Sequence, residues 1–195
     1  MENKIIFGVA HDPNDQKEIK RAKRKIFRYK PSSLGLELPA NYREWEEKGI
    51  RTFFFSDLAS YAISHQIEVV ALEDPALADY HLTLEVVKVV REGKVNEEDL
   101  HQELQELKSN FFFSSPEISA GPRRFEKRYA RAIEILKNNS SLDEVLKSWD
   151  ESNKNREVYM LDRIRFTLPK MIILGGAHSE RLVGKLEEYT YGGFI

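Results

Sequence analysis

The chain has 195 residues, of which 41% are hydrophobic and 32% charged, with a formal net charge of −2 and no cysteine. That length suits one domain with enough apolar material for a proper core, and the lack of cysteine removes disulfides, thiolate nucleophiles and zinc–sulfur sites. The charge balance lacks the basic excess of a generalised nucleic-acid binder, no run of about eighteen apolar residues could span a bilayer, and no basic stretch ahead of an apolar one marks an export signal. A cytoplasmic protein is therefore expected, acting on a peptide or small molecule, with no clear nucleic-acid partner and no membrane.

In chain order, the apolar run from Lys4 to Phe7 predicts strand one, which passes into Gly8-Val9-Ala10-His11. Asp12 and Pro13 suit the start of a helix with Asn14 as its cap. Ile19, Ala22, Ile26 and Phe27 then recur at helical spacing. The other side of this helix carries Lys17, Lys20, Arg21, Lys23, Arg24, Lys25 and Arg28, a pattern that most often marks a solvated face and less often one that binds an anion or nucleic acid. Pro31 stops the helix and Leu34 to Leu38 predicts strand two, with Glu37 near its end. A short helix from about Tyr42 should close at Gly49, and Phe53-Phe54-Phe55 leads into another. Ile67 to Leu72 is strand three, ending in Glu73, Asp74 and Pro75.

From about 76 to 150 the periodicity is helical throughout. His81 falls on the packing side of the first of these helices with Leu77 and Leu84, which suits a structural histidine. Leu100, Leu104 and Leu107 mark the second helix, and Gly121-Pro122 opens a third with Phe125, Tyr129, Ala132, Ile133 and Leu136 inward. Ser141 and Glu144 have capping-box spacing ahead of a fourth, and Arg156 begins a fifth that ends before Pro169. Met171 to Leu174 is strand four, running into Gly175-Gly176-Ala177-His178 and a last helix. The tail, Tyr191 to Ile195, reads equally as an edge strand or a docked terminus. Strand–helix alternation interrupted by a helical insertion predicts an α/β fold: a mostly parallel sheet of about four strands flanked by helices.

Strands one and four thus end in the same way, in a glycine followed three residues later by histidine. The carboxyl edge of an open α/β sheet is where ligands bind. His11, Glu37, the Glu73/Asp74 pair and His178 would all reach that edge. Two imidazoles with one or two carboxylates form a donor set for a first-row ion. Without metal, the same groups could serve as a general base and its orienting partner. Glu37 and Asp74 could equally cap neighbouring helices, and only one of Glu73 and Asp74 should face the cleft. His65 and His101 lie on amphipathic helices without a partner motif. The runs beginning at Phe53 and Phe111 suit the core or an apolar pocket.

These motifs in this order resemble the TraB/Tiki superfamily, which includes erythromycin esterases, ChaN-like haem-uptake proteins and peptide-pheromone shutdown proteins. The resemblance rests on the two GxxH stretches, on Leu36-Glu37-Leu38 after the first helix, and on Asn155-Arg156, Met160 and Ile164 ahead of the final strand. It spans essentially the whole chain, although the chain is short and lacks the membrane segments of some TraB relatives. It implies a single domain over 1–195, with the insertion at about 76–150 and a cleft lined by His11, Glu37 and His178. Arg156 would join that cleft, binding an anionic group or pairing with Glu37.

The relatives divide between metal-dependent proteolysis, hydrolysis by histidine-activated water and haem binding. One expectation is therefore a metal-dependent hydrolase of the peptidase or esterase kind. His11, His178 and Glu37 would hold a divalent ion (Mn, Co or Zn), and Glu73 or Asp74 would complete its shell or act as base. The other is a non-enzymatic ligand-binding or regulatory protein, holding haem or a peptide between Arg156, the histidines and apolar walls such as Phe7 and Phe53. Under either, His11, Glu37 and His178 should line one pocket.

Overall fold

Five short segments pair into one sheet: β1 (Lys4–Val9), β2 (Ser33–Pro39), β3 (Glu68–Glu73), β4 (Met171–Gly175) and β5 (Tyr189–Phe194). The strand order is β3-β2-β4-β1-β5 and every pairing is parallel. The computed structural model describes residues 4–10, 16–42, 53–110, 120–138 and 140–195. The expected helix start at Asp12 to Asn14, the helix beyond Tyr42 and the Phe111 run lie outside these residues, as does His11. The fifth strand exceeds the expected four and is the ambiguous tail. Tyr189-Thr190-Tyr191-Gly192-Gly193 carries no continuous apolar run, so it becomes a strand by pairing with β1 rather than by its own pattern.

Parallel sheets need both faces covered, and the strands divide their side chains accordingly. Phe7, Val9, Leu34, Leu36, Leu38 and Ile173 point to one face, where they meet Ile19, Ala22 and Ile26 of α1 (Gln16–Tyr29). Leu58 and Ala62 of α2 (Phe53–Ser64) pack on the same face. Phe54 and Phe55 belong to this core too, edge to face at 5.2 Å, so these two are packing residues rather than a pocket lining. Ile6, Leu72, Ile172 and Leu174 point to the other face. There they meet Met160 and Ile164 of α6 (Leu142–Thr167) and Leu182 of α7 (Gly176–Val183).

The chain forms two compact units. One is the sheet with its helices, from residues 1–42, 51–74 and 157–195; the other comprises 43–50 and 75–156. The second holds α3 (Pro75–Arg91), α4 (Glu97–Asn110), α5 (Ala120–Lys137) and the first part of α6. Its core is Val87, Leu100, Leu104, Ala132, Ile133, Leu136 and Val145, the stripes that helical spacing predicts. The capping box is formed: Ser141 N donates to Glu144 Oε2 at 2.8 Å and Glu144 N to Ser141 Oγ at 3.3 Å. His81 is buried against Trp149 at 5.3 Å between ring centres, and Trp149 Nε1 donates to Glu85 at 2.8 Å.

The fourth and fifth expected helices are one continuous α6. The polar run Ser152-Asn153-Lys154-Asn155 holds no Gly or Pro, and weak helix formers cost only a few tenths of a kcal/mol each, ~0.5. A buried stripe continuing on both sides outweighs that. No described helix is long and apolar enough to cross a membrane.

One close approach sets the height of α7 over the sheet. Gly8 lies within β1, on the side that α7 covers, and a Cβ there would stand 2.6 Å from Ser179 Oγ. Ser179 is fully buried, with its hydroxyl donating to Gly176 O at 2.8 Å. Gly8→Ala should therefore lower stability by about 1–3 kcal/mol through overpacking. Denaturant unfolding of Gly8→Ala, Ser179→Ala and the double variant checks this. The double variant should lose less than the sum of the two, and strict additivity would show that the serine is not what the new methyl meets.

Candidate functional site

The strand order creates a crevice before any side chain is considered. Chains leaving β1 and β2 reach α1 and α2 on one face, whereas the chain leaving β4 enters α7 on the other. β4 lies between β1 and β2, so both of its flanks are topological switch points, where open α/β sheets bind ligands beyond the strands' carboxyl ends.

His178 stands at this edge. Gly175 ends β4 and is the N-cap of α7, so His178 occupies the third position of the helix's first turn, and it is buried. Its Nδ1 lies 3.0 Å from Oε1 of Glu157, which comes from α6. A carboxylate can only accept, so Nδ1 carries the hydrogen and Nε2 is left to face the crevice. Across from Nε2, at 3.7 Å, is Oε1 of Glu37. That is too long for a direct hydrogen bond. The other oxygen, Oε2, accepts the Gly175 backbone N–H at 2.8 Å, which anchors the glutamate of β2 to the end of β4.

Alternation explains the orientation of Glu37. Leu34, Leu36 and Leu38 point to the face of α1, so Glu37 is turned to the face of α7. Glu157 also accepts from Arg181 Nε at 2.6 Å, and Arg181 is half exposed one turn beyond His178. Glu37, Glu157 and His178 are 9%, 5% and 7% exposed, so their geometry is held by the interior rather than by solvent-facing rotamers.

The other expected site residues are placed as follows. Glu73 is buried at the end of β3, where the pairing with β2 shifts register and sets it opposite Pro39. Asp74 is half-buried and directly precedes Pro75, the first residue of α3, where an acid suits the helix start. Arg156 belongs to the helical unit, where its Nη1 lies 3.4 Å from Asn153 Oδ1. Phe7 is 1% exposed and so cannot form the wall of a pocket; the side chain of Phe53 and the whole of His11 lie outside the described residues. β1 itself pairs with β4 so that Val9 is opposite Gly175, which brings the end of β1 to the same edge. The two GxxH stretches are nevertheless out of register by one residue, Gly8 facing Leu174.

Two buried acids escape a reading by motif. Glu157 lies one residue after Arg156 and in line with Met160 and Ile164, the only readable sign being a carboxylate on an otherwise apolar stripe. Glu18 sits likewise beside Ile19 and Ala22; it is 2% exposed, and its Oε1 accepts the Ala10 N–H at 2.6 Å. Glu18 thus anchors the end of β1 as Glu37 anchors the end of β4.

Among the described residues, no group of three or more His, Asp and Glu side chains is arranged to hold a metal. His178 Nε2 and Glu37 Oε1 do fit as two donors of such a shell. Donors each about 2.1 Å from one ion are separated by no more than ~4.2 Å, and these are 3.7 Å apart. The Glu157 contact is the carboxylate–histidine pairing that orients metal-bound imidazoles.

The anchoring of Glu37 is open to test by stability. Glu37→Ala would leave the buried Gly175 N–H without its acceptor, at a cost of about 1–3 kcal/mol. Glu37→Gln keeps an acceptor oxygen and should retain most of that in urea unfolding; equal losses from both variants would rule out this contact as the anchor.

In comparisons with known proteins, no family model, no curated protein and no solved structure matches this chain, so the TraB/Tiki resemblance rests on the motifs alone.

Proposed function

We propose that the chain is a metal-assisted hydrolase of amide or ester bonds, with His178 and Glu37 as ligands and His11, from the adjacent strand end, as the third. The observation that supports this best is the arrangement around His178: Nδ1 held by buried Glu157 at 3.0 Å, and Nε2 aimed at Glu37 Oε1 at 3.7 Å. A divalent ion held by these residues would supply Lewis-acid chemistry, activating water near neutral pH and polarising the scissile carbonyl.

The protein's own groups do the rest. Glu157 fixes the imidazole so that Nε2 carries the free lone pair, and the Gly175 N–H prevents Glu37 from swinging away. The first-turn N–H groups of α7 point to the same edge, where they can stabilise negative charge developing on the carbonyl oxygen. This scheme assigns no role to Glu73 or Asp74. The haem alternative loses one of its two apolar walls, because Phe7 is enclosed in the core.

Titration calorimetry with Zn, Mn and Co, together with hydrolysis of a panel of peptide and ester substrates, tests the reading. His178→Ala and Glu37→Ala should abolish both binding and turnover. Glu157→Gln should weaken metal affinity about 10–100-fold, the usual cost of losing an orienting partner, while leaving the fold intact by circular dichroism. Hydrolysis that survives exhaustive chelation would instead assign His178, with Glu157 behind it, as a general base without metal. Absence of binding by all three metals, with no hydrolysis, would refute the proposal.

A further inference from the structure

The solvent side of α1 has a charge distribution that the composition does not require. Lys17, Lys20, Arg21, Arg24 and Arg28 are exposed along it, although the chain as a whole carries a net charge of −2. At 3.6 residues per turn, Lys20, Arg24, Phe27 and Arg28 form one continuous strip. Like charges three and four residues apart oppose helix formation, so the strip is a standing cost to the helix. The helix's single acid does not relieve it: Glu18 is buried and turned to the Ala10 N–H. Lys23 is matched by Asp57 of α2 at 3.0 Å. Lys20, Arg24 and Arg28 have no acidic partner within 4 Å among the described residues.

An aromatic ring interrupts the cations. Phe27 is 62% exposed in the middle of the strip, and Tyr29 beyond it is 47% exposed. Lys30 Nζ stands 5.9 Å from the Phe27 ring centre. A ring offered to solvent between cationic side chains is the pairing that single-stranded nucleic acids use, with charge along the backbone and a stacking platform for a base.

We infer that this strip binds single-stranded nucleic acid, with Lys20, Arg24 and Arg28 on successive phosphates and a base stacked on Phe27. The net charge excludes a protein that is basic all over, not a local strip. A lipid surface is the weaker fit. The apolar stripe of α1, Ile19, Ala22 and Ile26, is buried against the sheet, so the helix cannot turn it into a bilayer, and attraction by charge alone needs a second anchor. A duplex is also the weaker fit, because its bases are already stacked and unavailable to Phe27. The inference stands apart from the hydrolase reading and uses none of its residues.

Fluorescence anisotropy with a labelled twelve-nucleotide oligo(U), titrated at several salt concentrations, tests it on the full chain. Binding should weaken with salt with a log–log slope near −2, as expected at about −0.7 per phosphate for three contacts. Lys20→Gln/Arg24→Gln/Arg28→Gln should lose at least tenfold in affinity and flatten the slope. Phe27→Ala should lose about 5–100-fold with the slope unchanged. Circular dichroism melting should show both variants folded, since every altered side chain is exposed. Three outcomes would overturn the inference: no binding at 50 mM salt, equal affinity for polyglutamate, or tighter binding to phosphatidylserine vesicles with Phe27→Ala silent.

Discussion

The fold depends on one insertion: β4 enters the sheet between β2 and β1, after the chain has left the sheet and formed a separate helical unit. Met171 to Gly175 is buried throughout and paired on both edges, so β1 and β2 belong to one sheet only because β4 joins them. Closing so long a loop is less costly than its length suggests, since the entropic cost grows only with the logarithm of the residues enclosed. The enclosed residues also carry their own core around Val87, Leu104 and Leu136, so they are not a slack tether. Every other feature of the sheet unit follows from where β4 lands. The crevice at its end exists because its neighbours send their chains to the opposite face.

Buried carboxylates that bond from one element to another then make the crevice specific. Glu37 reaches from β2 to the Gly175 N–H of β4, and Glu18 reaches from α1 to the Ala10 N–H beyond β1. Buried carboxylates are costly unless their oxygens are hydrogen-bonded. Each of these is therefore a constraint as well as a group with possible chemistry: it holds the end of a strand that precedes a histidine. Glu157 does the same for the His178 ring and is in turn held by Arg181. The geometry is thus set before any ligand arrives, which is the condition for selective binding or for catalysis by fixed dipoles.

Gly8 and Gly176 show why the repeated glycine–histidine pattern is not a repeated structure. Gly8 lies inside β1, where the absence of a side chain lets Ser179 of α7 settle over the strand. Gly176 begins α7, and a Cβ there would run into the ring of Phe194 on β5. Gly175, the formal counterpart of Gly8, has φ −52° and ψ 140°, a conformation open to any residue. Gly8 and Gly176 thus answer to two different neighbours, Ser179 and Phe194.

What the sequence by itself determined is the set of elements and their faces. Period-two and fully apolar runs marked β1 to β4, helical stripes marked the cores of α1, α3, α4 and α5, and strand–helix alternation implied a parallel sheet with a carboxyl edge. It also placed Glu37 and His178 at that edge, because a strand's carboxyl end is local information. Strand order is not local, and neither is anything that depends on it. The tertiary structure decided that β5 is a strand, since its pairing with β1 and not its composition makes it one. It decided that Glu37 shares a face with His178, because the alternation of each strand matters only once the sheet has two distinguishable faces. It kept α6 whole through Ser152 to Asn155, where packing outweighed weak propensity. It also recruited Glu157 and Glu18, two acids with no motif around them, because burial beside an unpaired N–H or imidazole is a relation between distant segments that no stretch of sequence displays.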